Sequence, residues 1–451
     1  MSLARTHSIA LVGVEGHPVE IEADIENGLV GLLLVGLPDT ALREARDRIR
    51  SAIVNSKEKW PNRRITVGLS PASLPKRGSS FDLGIAVAIL AAAGAIPPAG
   101  ISELMFIGEL GLDGRLRPVR GVLPAVAAAA ASGFRVVAVP ADNAPEACLV
   151  PQMRVVAASS LSSLLEWLRG QAGSRGRVRA GLGSGATRTN GTRRTEPTRP
   201  IEATGSSGSI ELTGTGRTSG VGGVQVFEGG TLPPPDLRPP GGDDPVSGLG
   251  RDLADVVGQP TARRAAEICA AGGHHLLLLG PPGVGKTMLA ERLPTLLPRL
   301  EPDAALEVTA IHSIAGTLPP GSPLLTEPPF RAPHHTATRA AMVGGGSGSL
   351  RPGAASLAHH GCLFLDEAPE FSRDVLDALR QPLESGEVVL ARSGLTARFP
   401  ARFTLVLAAN PCPCSRATSA RAGCSCTPLV RRRYMARLSG PLLDRVDVKA
   451  E

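Results

Sequence analysis

Apolar and polar residues alternate with a period of two over residues 9–14 and 19–23, which predicts two strands near the start of the chain. A short apolar run over 31–35 ends at Gly36 and reads as a third. From Thr40 to Asn55 the apolar positions recur at helical spacing, with Asp39 placed as a cap. Residues 81–93 and 123–131 are apolar on all sides, which predicts buried helices, and 135–139 reads as a buried strand. This interleaving predicts an α/β domain over residues 1–170. The pattern then stops. From 171 to 248 Gly, Ser, Thr, Arg and Pro dominate, and stretches such as 205–209 and 232–240 offer nothing to bury. That span reads as a disordered linker. Within 171–240 there are nine Arg and five acidic residues, 9 − 5 = +4. Such a charge suits a loose nucleic-acid tether or a solvated spacer, and the wide spacing favours the spacer. Patterned sequence resumes at 249 and continues to 451 as a second folded unit, with no solenoid-type repeat.

Length and charge refine this picture only a little. A chain of 451 residues exceeds what one core usually serves, so two or three domains are expected. The net charge, 48 − 41 = +7, permits nucleic-acid binding without demanding it. Glu15 and His17 interrupt the early apolar stretch, so no signal peptide is expected, and the apolar run over 83–96 is too short to span a bilayer. A cytoplasmic protein without a membrane partner is expected. Seven cysteines, four of them between 412 and 426, do not read as a disulfide framework but as a reduced compartment with a metal site.

The chemistry begins at residue 274. An apolar strand over 274–279 leads into Gly280, Pro281, Pro282, Gly283, Val284, Gly285, Lys286 and Thr287, and a helix opens at Met288. A Gly-rich loop between strand and helix is the P-loop context for ATP. Its backbone N–H groups can face phosphates, and the helix N-terminus adds positive potential. Lys286 is placed to reach the β and γ phosphates, and the Thr287 hydroxyl to ligate Mg²⁺. About eighty residues on, the apolar run 361–365 ends in Asp366 and Glu367. Asp366 is expected to hold Mg²⁺ through water, and Glu367 to act as general base on the attacking water. A third apolar strand, 403–409, ends at Asn410, which either orients that water or turns the chain before Pro411. Arg445 is the candidate arginine finger; the alternative is a surface salt bridge with Asp444 or Asp447. Cys412, Cys414, Cys424 and Cys426 form two C-x-C pairs around a nine-residue loop. They either close a tetrahedral structural Zn²⁺ site or remain unligated thiols. The His pairs at 274–275, 334–335 and 359–360 have no partner at ligand spacing, and His274 is read as simply preceding a buried strand.

Taken together, 252–259 (DLADVVGQ), the P-loop, 331–335 (RAPHH), 351–353 (RPG), 410–414 (NPCPC) and 438–445 (LSGPLLDR) resemble the ComM/YifB family of magnesium chelatase-like AAA+ ATPases. The resemblance covers both folded units and skips the linker. It implies a three-layer α/β/α ATPase domain over 249–451, and a homo-hexameric ring that moves DNA by branch migration or helicase action in recombination or natural transformation. It also implies an N-terminal domain similar to the proteolytic domain of Lon, fitting 70–78, Phe81-Asp82 and 108–119. Ser80 falls at the serine position, but Leu123 stands where the lysine of the dyad belongs, and leucine cannot deprotonate serine. A non-peptidase role in binding or ring assembly is implied. Residues 331–360, with the Gly344–Gly348 stretch, read as an insertion, and 388–401 as a β-hairpin centred on Ser393-Gly394. In relatives of this class such elements line the central pore, so Arg392 and Arg398 would touch DNA phosphates, or else the hairpin is merely solvated. The chain stops at Glu451, before the helical lid that AAA+ modules normally carry, and reads as truncated. A motor that remodels a protein partner, as in metal chelation, is the competing reading.

Overall fold

The computed structural model describes residues 2–36, 39–76, 78–98, 100–180, 223–230, 251–319, 324–346, 350–392, 395–414, 424, 426–438 and 440–451. The expected turn at Ser393-Gly394, part of the Gly344–Gly348 stretch and most of the expected linker lie outside them.

The N-terminal region is built on an eight-stranded sheet. β1 (Ser2–Val12) and β2 (Glu15–Glu26) pair antiparallel along their whole length, and Gly13 at the turn has φ 66°, a conformation that favours glycine. β3 (Gly31–Val35), α1 (Asp39–Asn55) and β4 (Arg64–Ser70) follow, then α2 (Asp82–Ala92), buried on every side as its composition predicts. β5 (Leu104–Phe106), the short pair β6 (Glu109–Leu110) and β7 (Leu116–Arg117), and α3 (Val122–Ala131) come next. β8 (Val136–Pro140), α4 (Ala144–Ala147), β9 (Arg154–Ala158) and α5 (Leu161–Ala180) complete this run.

The linker reading needs correction at two points. α5 carries on to Ala180, and Val224–Glu228 forms a strand, β10, that adds antiparallel to β9. Val224, Val226 and Phe227 are buried there. The sequence V-Q-V-F-E offers enough apolar surface to cover a sheet edge, and its Gly-rich surroundings disguise it. The sheet order is β10-β9-β8-β5-β1-β2-β4-β3, a mixed sheet.

The C-terminal region is a parallel α/β sheet. α6 (Pro260–Gly272) leads to β11 (Leu276–Leu279), α7 (Lys286–Ala290) and α8 (Pro302–Ala315). β12 (Phe330–Arg331), α9 (Arg339–Val343), the two-residue strands β13 (Gly344–Gly345) and β14 (Arg351–Pro352), and α10 (Ala354–Leu357) form the expected insertion. β15 (Cys362–Leu365), α11 (Arg373–Ala378), α12 (Arg380–Ser385), the hairpin β16 (Glu387–Arg392) and β17 (Leu395–Pro400), and β18 (Thr404–Ala409) follow. α13 (Pro428–Met435), α14 (Gly440–Leu443) and β19 (Val448–Ala450) end the chain. The order β12-β15-β18-β11-β19 is parallel throughout and places β11 between β18 and β19. Strands buried on both faces explain the unbroken apolar runs of β11, β15 and β18.

Two contacts join the regions. α3 packs on α8: Gly121 N donates to Ser313 O at 3.2 Å, and Ser313 Oγ donates to buried Glu146, which also accepts from Leu123 N at 2.7 Å. The hairpin lies against the β1–β2 turn, where Val12, Ala397 and Phe399 form a small buried cluster with Val14, Leu74, Ile314, Leu350 and Leu390 around it. Among the described residues no helix is long and apolar enough to cross a membrane.

Candidate nucleotide site

Parallel sheets bind ligands beyond the carboxyl ends of their strands, where the winding direction reverses. Here that crevice lies past β11, β15 and β18. Gly280 N donates to Ala409 O at 3.2 Å, seating the loop after β11 against the end of β18. Gly283 and Gly285 have φ 81° and 89°, so the loop needs glycine at both places. Gln259 closes the loop from outside, its amide donating to Val284 O. α7 is only five residues long and opens at Lys286, so the positive charge here comes chiefly from Lys286 and the loop N–H groups rather than from a helix dipole.

The structure brings the sequence-predicted groups of three strands together. Lys286 Nζ donates to Gly280 O at 2.7 Å, Pro281 O at 3.0 Å and Asn410 Oδ1 at 3.0 Å. Burial pushes its pKa down, while Asp366 and Glu367 pull the other way. Thr287 Oγ donates to Asp366 Oδ2 at 2.7 Å, and the other Asp366 oxygen accepts from Glu367 N at 2.9 Å. Glu367 sits in the left-handed region, φ 50°, and His335 Nδ1 lies 3.4 Å from its carboxylate. Two hard oxygen donors 2.7 Å apart beside a phosphate-sized loop fit a divalent cation carried in with a nucleotide.

Arg445 stands apart from this group. It donates to Glu384 Oε1 at 2.7 Å, on α12, and its side chain is 47% exposed. The alternative ion pair, with Asp444 or Asp447, is not the one formed. Asp447 instead accepts from His275 N at 3.0 Å and lies 3.6 Å from His274.

The four cysteines converge. Cys412, Cys414 and Cys424 sulfurs lie 3.1–3.4 Å apart, and all four Sγ atoms, including that of Cys426, fall within 4.8 Å of one another. A tetrahedral zinc with Zn–S bonds of about 2.3 Å spaces its sulfurs by roughly 3.8 Å, so a small outward adjustment accommodates the ion. A second cluster, which sequence spacing did not reveal, gathers Glu307, His359 and His360. There His359 Nδ1 accepts from Arg402 N at 2.9 Å, so the neutral ring carries its proton on Nε2, which faces Glu307 at 3.1 Å. With its proton on Nε2, His359 faces Glu307 at ion-pair distance and has no ring lone pair left for a metal.

Gln259 and His335 are the site contacts that sequence reasoning missed. Both lie in motifs that carried the family resemblance, yet neither spacing nor residue type signals their roles.

A Gly-rich loop on an inner parallel strand, facing the acidic end of β15 and the Asn at the end of β18, defines a P-loop ATPase module of AAA+ type. Residues 252–451 match the family described as magnesium chelatase, subunit ChlI, and residues 21–143 that described as subunit ChlI of Mg-chelatase. A protein of Mycobacterium tuberculosis is 49% identical over the whole chain, which covers 77% of that relative. YifB of Escherichia coli is 40% identical and competence protein ComM of Haemophilus influenzae 41%, again over the whole chain and 76% of each relative. The chain belongs to the ComM/YifB family of magnesium chelatase-like AAA+ ATPases.

Proposed function

We propose that this protein is an ATP-driven ring motor acting on DNA in the cytoplasm, a homo-hexamer whose work is branch migration or helicase action in recombination or natural transformation. The observation that carries the reading is the β16–β17 hairpin. It bears Arg392 and Arg398 at exposed positions, its base rests on the N-terminal region, and Arg392 donates to Gly346 O of the insertion. A hairpin so braced can deliver force to a phosphate backbone. The relative ComM of Haemophilus influenzae is a competence protein, which supports the same reading.

In this scheme the loop 280–287 and Met288 hold ATP, and Lys286 leaves Asn410 and its own carbonyls for the β and γ phosphates. Thr287 and Asp366 hold Mg²⁺, which neutralises phosphate charge when bound. Glu367 accepts the proton of the attacking water, Asn410 orients that water, and Arg445 leaves Glu384 to reach the nucleotide of a neighbouring subunit. Cys412, Cys414, Cys424 and Cys426 hold a structural Zn²⁺. The N-terminal region, similar to the Lon proteolytic domain but with Leu123 buried at the lysine position, serves binding or ring assembly without peptide-bond chemistry.

Measuring ATP hydrolysis by the full-length protein alone and with single-stranded, duplex and four-way-junction DNA tests the proposal. Stimulation by DNA that is lost in Glu367→Gln is expected, with Glu367→Gln still binding ATP. Hydrolysis indifferent to every DNA would favour the second reading, a motor remodelling a protein partner. That reading draws on the likeness of residues 21–143 and 252–451 to the magnesium chelatase subunit ChlI family.

A further inference from the structure

We propose that the exposed side of helix α13 is a DNA-binding surface outside the hairpin, on which Arg431, Arg432 and Arg433 take up backbone phosphates. The proposal builds on the reading of the protein as a motor on DNA. It starts from where the charge lies. Between Glu387 and Asp444 the chain has no acidic residue and no lysine, yet it holds nine arginines. That is +9 within residues 388–443, so the rest of the chain carries 7 − 9 = −2. The whole positive excess of the protein is gathered in one stretch, which runs from the hairpin through the cysteine cluster into α13. Such an asymmetry points to a polyanion as the partner.

Elsewhere in this stretch arginines are engaged within the chain. Arg398 pairs with Glu387 at 2.7 Å, Arg392 donates to Gly346 O, and Arg437 donates to Glu370 Oε2 at 2.9 Å. Arg416 and Arg421 lie outside the described residues. Arg431, Arg432 and Arg433 are exposed, and among the described residues none of their side chains has a carboxylate or other acceptor. The helix presents them on a firm base. Leu429, Arg432, Arg433 and Ala436 fall three or four residues apart, so they share one face, and all four are exposed. Tyr434 and Leu438 are buried on the other side. The Arg437 guanidinium lies 5.9 Å from the Tyr434 ring centre while bonded to Glu370, three residues past Glu367. At the other end Thr427 caps the helix through Val430 N at 3.5 Å, directly after Cys426 of the cysteine cluster. A helix C-terminus attracts cations, which suits Arg432 and Arg433 in the last turn. It does not account for a run of 443 − 387 = 56 residues without an acid. Successive guanidinium forks match a repeating phosphate backbone better than a single carboxylate of a protein partner.

The test is the anisotropy of a fluorescein-labelled single strand and of a labelled four-way junction, titrated with the full-length protein at several salt concentrations. Each phosphate contact contributes about 0.7–0.9 to the slope of log affinity against log salt. Replacing Arg431, Arg432 and Arg433 together by Gln should cut that slope by about two to three, and weaken binding about ten- to hundredfold near physiological salt. Replacing all three by Lys keeps the point charges, and should keep the slope, with affinity within about threefold of parental. Arg432→Gln alone should lower the slope by about one, and it decides the matter if thermal unfolding shows that the triple variant does not fold. Folded glutamine variants with parental affinity and slope overturn the surface and leave the motor reading standing. Lysine variants as weak as the glutamine ones overturn it as well, because the loss is then not one of charge. A parental protein that binds neither DNA removes the motor reading, and the surface with it.

Discussion

His312 is held neutral by its surroundings. Its Nε2–H donates to Leu357 O at 3.1 Å, leaving Nδ1 to face the Thr317 hydroxyl and the Arg331 guanidinium, each at 3.2 Å. Burial, reinforced by the Arg331 charge, pushes its pKa down to about 4. The unfolded chain therefore binds a proton at higher pH than the folded one. The stability that His312 contributes is complete above about pH 6.5 and is lost as pH falls toward 4, up to about 3 kcal/mol. Denaturant titrations between pH 7 and 4 should show this slope, and His312→Gln should flatten it. At the nucleotide site, Lys286→Ala removes the side chain bonded both to the loop carbonyls and to Asn410. A loss of ATP affinity of at least about tenfold, roughly 1.4 kcal/mol, is expected in a fluorescent-nucleotide titration. The cysteine site gives a third outcome. Metal analysis of freshly purified protein should find about one zinc per chain, and Cys424→Ser with Cys426→Ser should abolish it. Thiols without stoichiometric metal would refute the site.

Among the elements, the hairpin β16–β17 depends on one large side chain. Phe399 is fully buried against Val12 and its neighbours, where two regions of the chain meet. Phe399→Ala should cost about 3–5 kcal/mol in thermal or chemical unfolding, and should loosen the hairpin from the β1–β2 turn. The parental hairpin was readable because β-branched and apolar residues flank Ser393-Gly394. β11, β15 and β18 were equally plain, since strands covered on both faces are apolar throughout. β10 was not. Its five residues lie in a span whose composition is that of a spacer, and only the exposed edge of β9 gives them a partner. Asp366, Glu367 and Asn410 were legible for the same reason as the strands: each stands just past the end of one. His335 and Gln259 were not, because they reach Glu367 and the Val284 carbonyl across 32 and 25 residues of chain, and nothing in their spacing announces the meeting.

At the scale of the whole molecule the two regions share a polar joint. Glu146 is buried, with its pKa raised by loss of water, and Ser313 from the other region donates to it. Ser313→Ala leaves that carboxyl with one donor fewer inside the protein, at a cost of about 1–3 kcal/mol. Hydrogen exchange should then rise first along α3 and α8. The return of β10 has a topological consequence. The chain leaves the N-terminal sheet after β9 and runs through α5 to Ala180, and β10 rejoins that same sheet at Val224. The segment between them is an excursion with both ends on one body, and the bridge to the ATPase region starts only after Gly230. Such an excursion is a natural place for length variation. A cut within it would leave the N-terminal piece clasped to the remainder through β10, as complementing fragments.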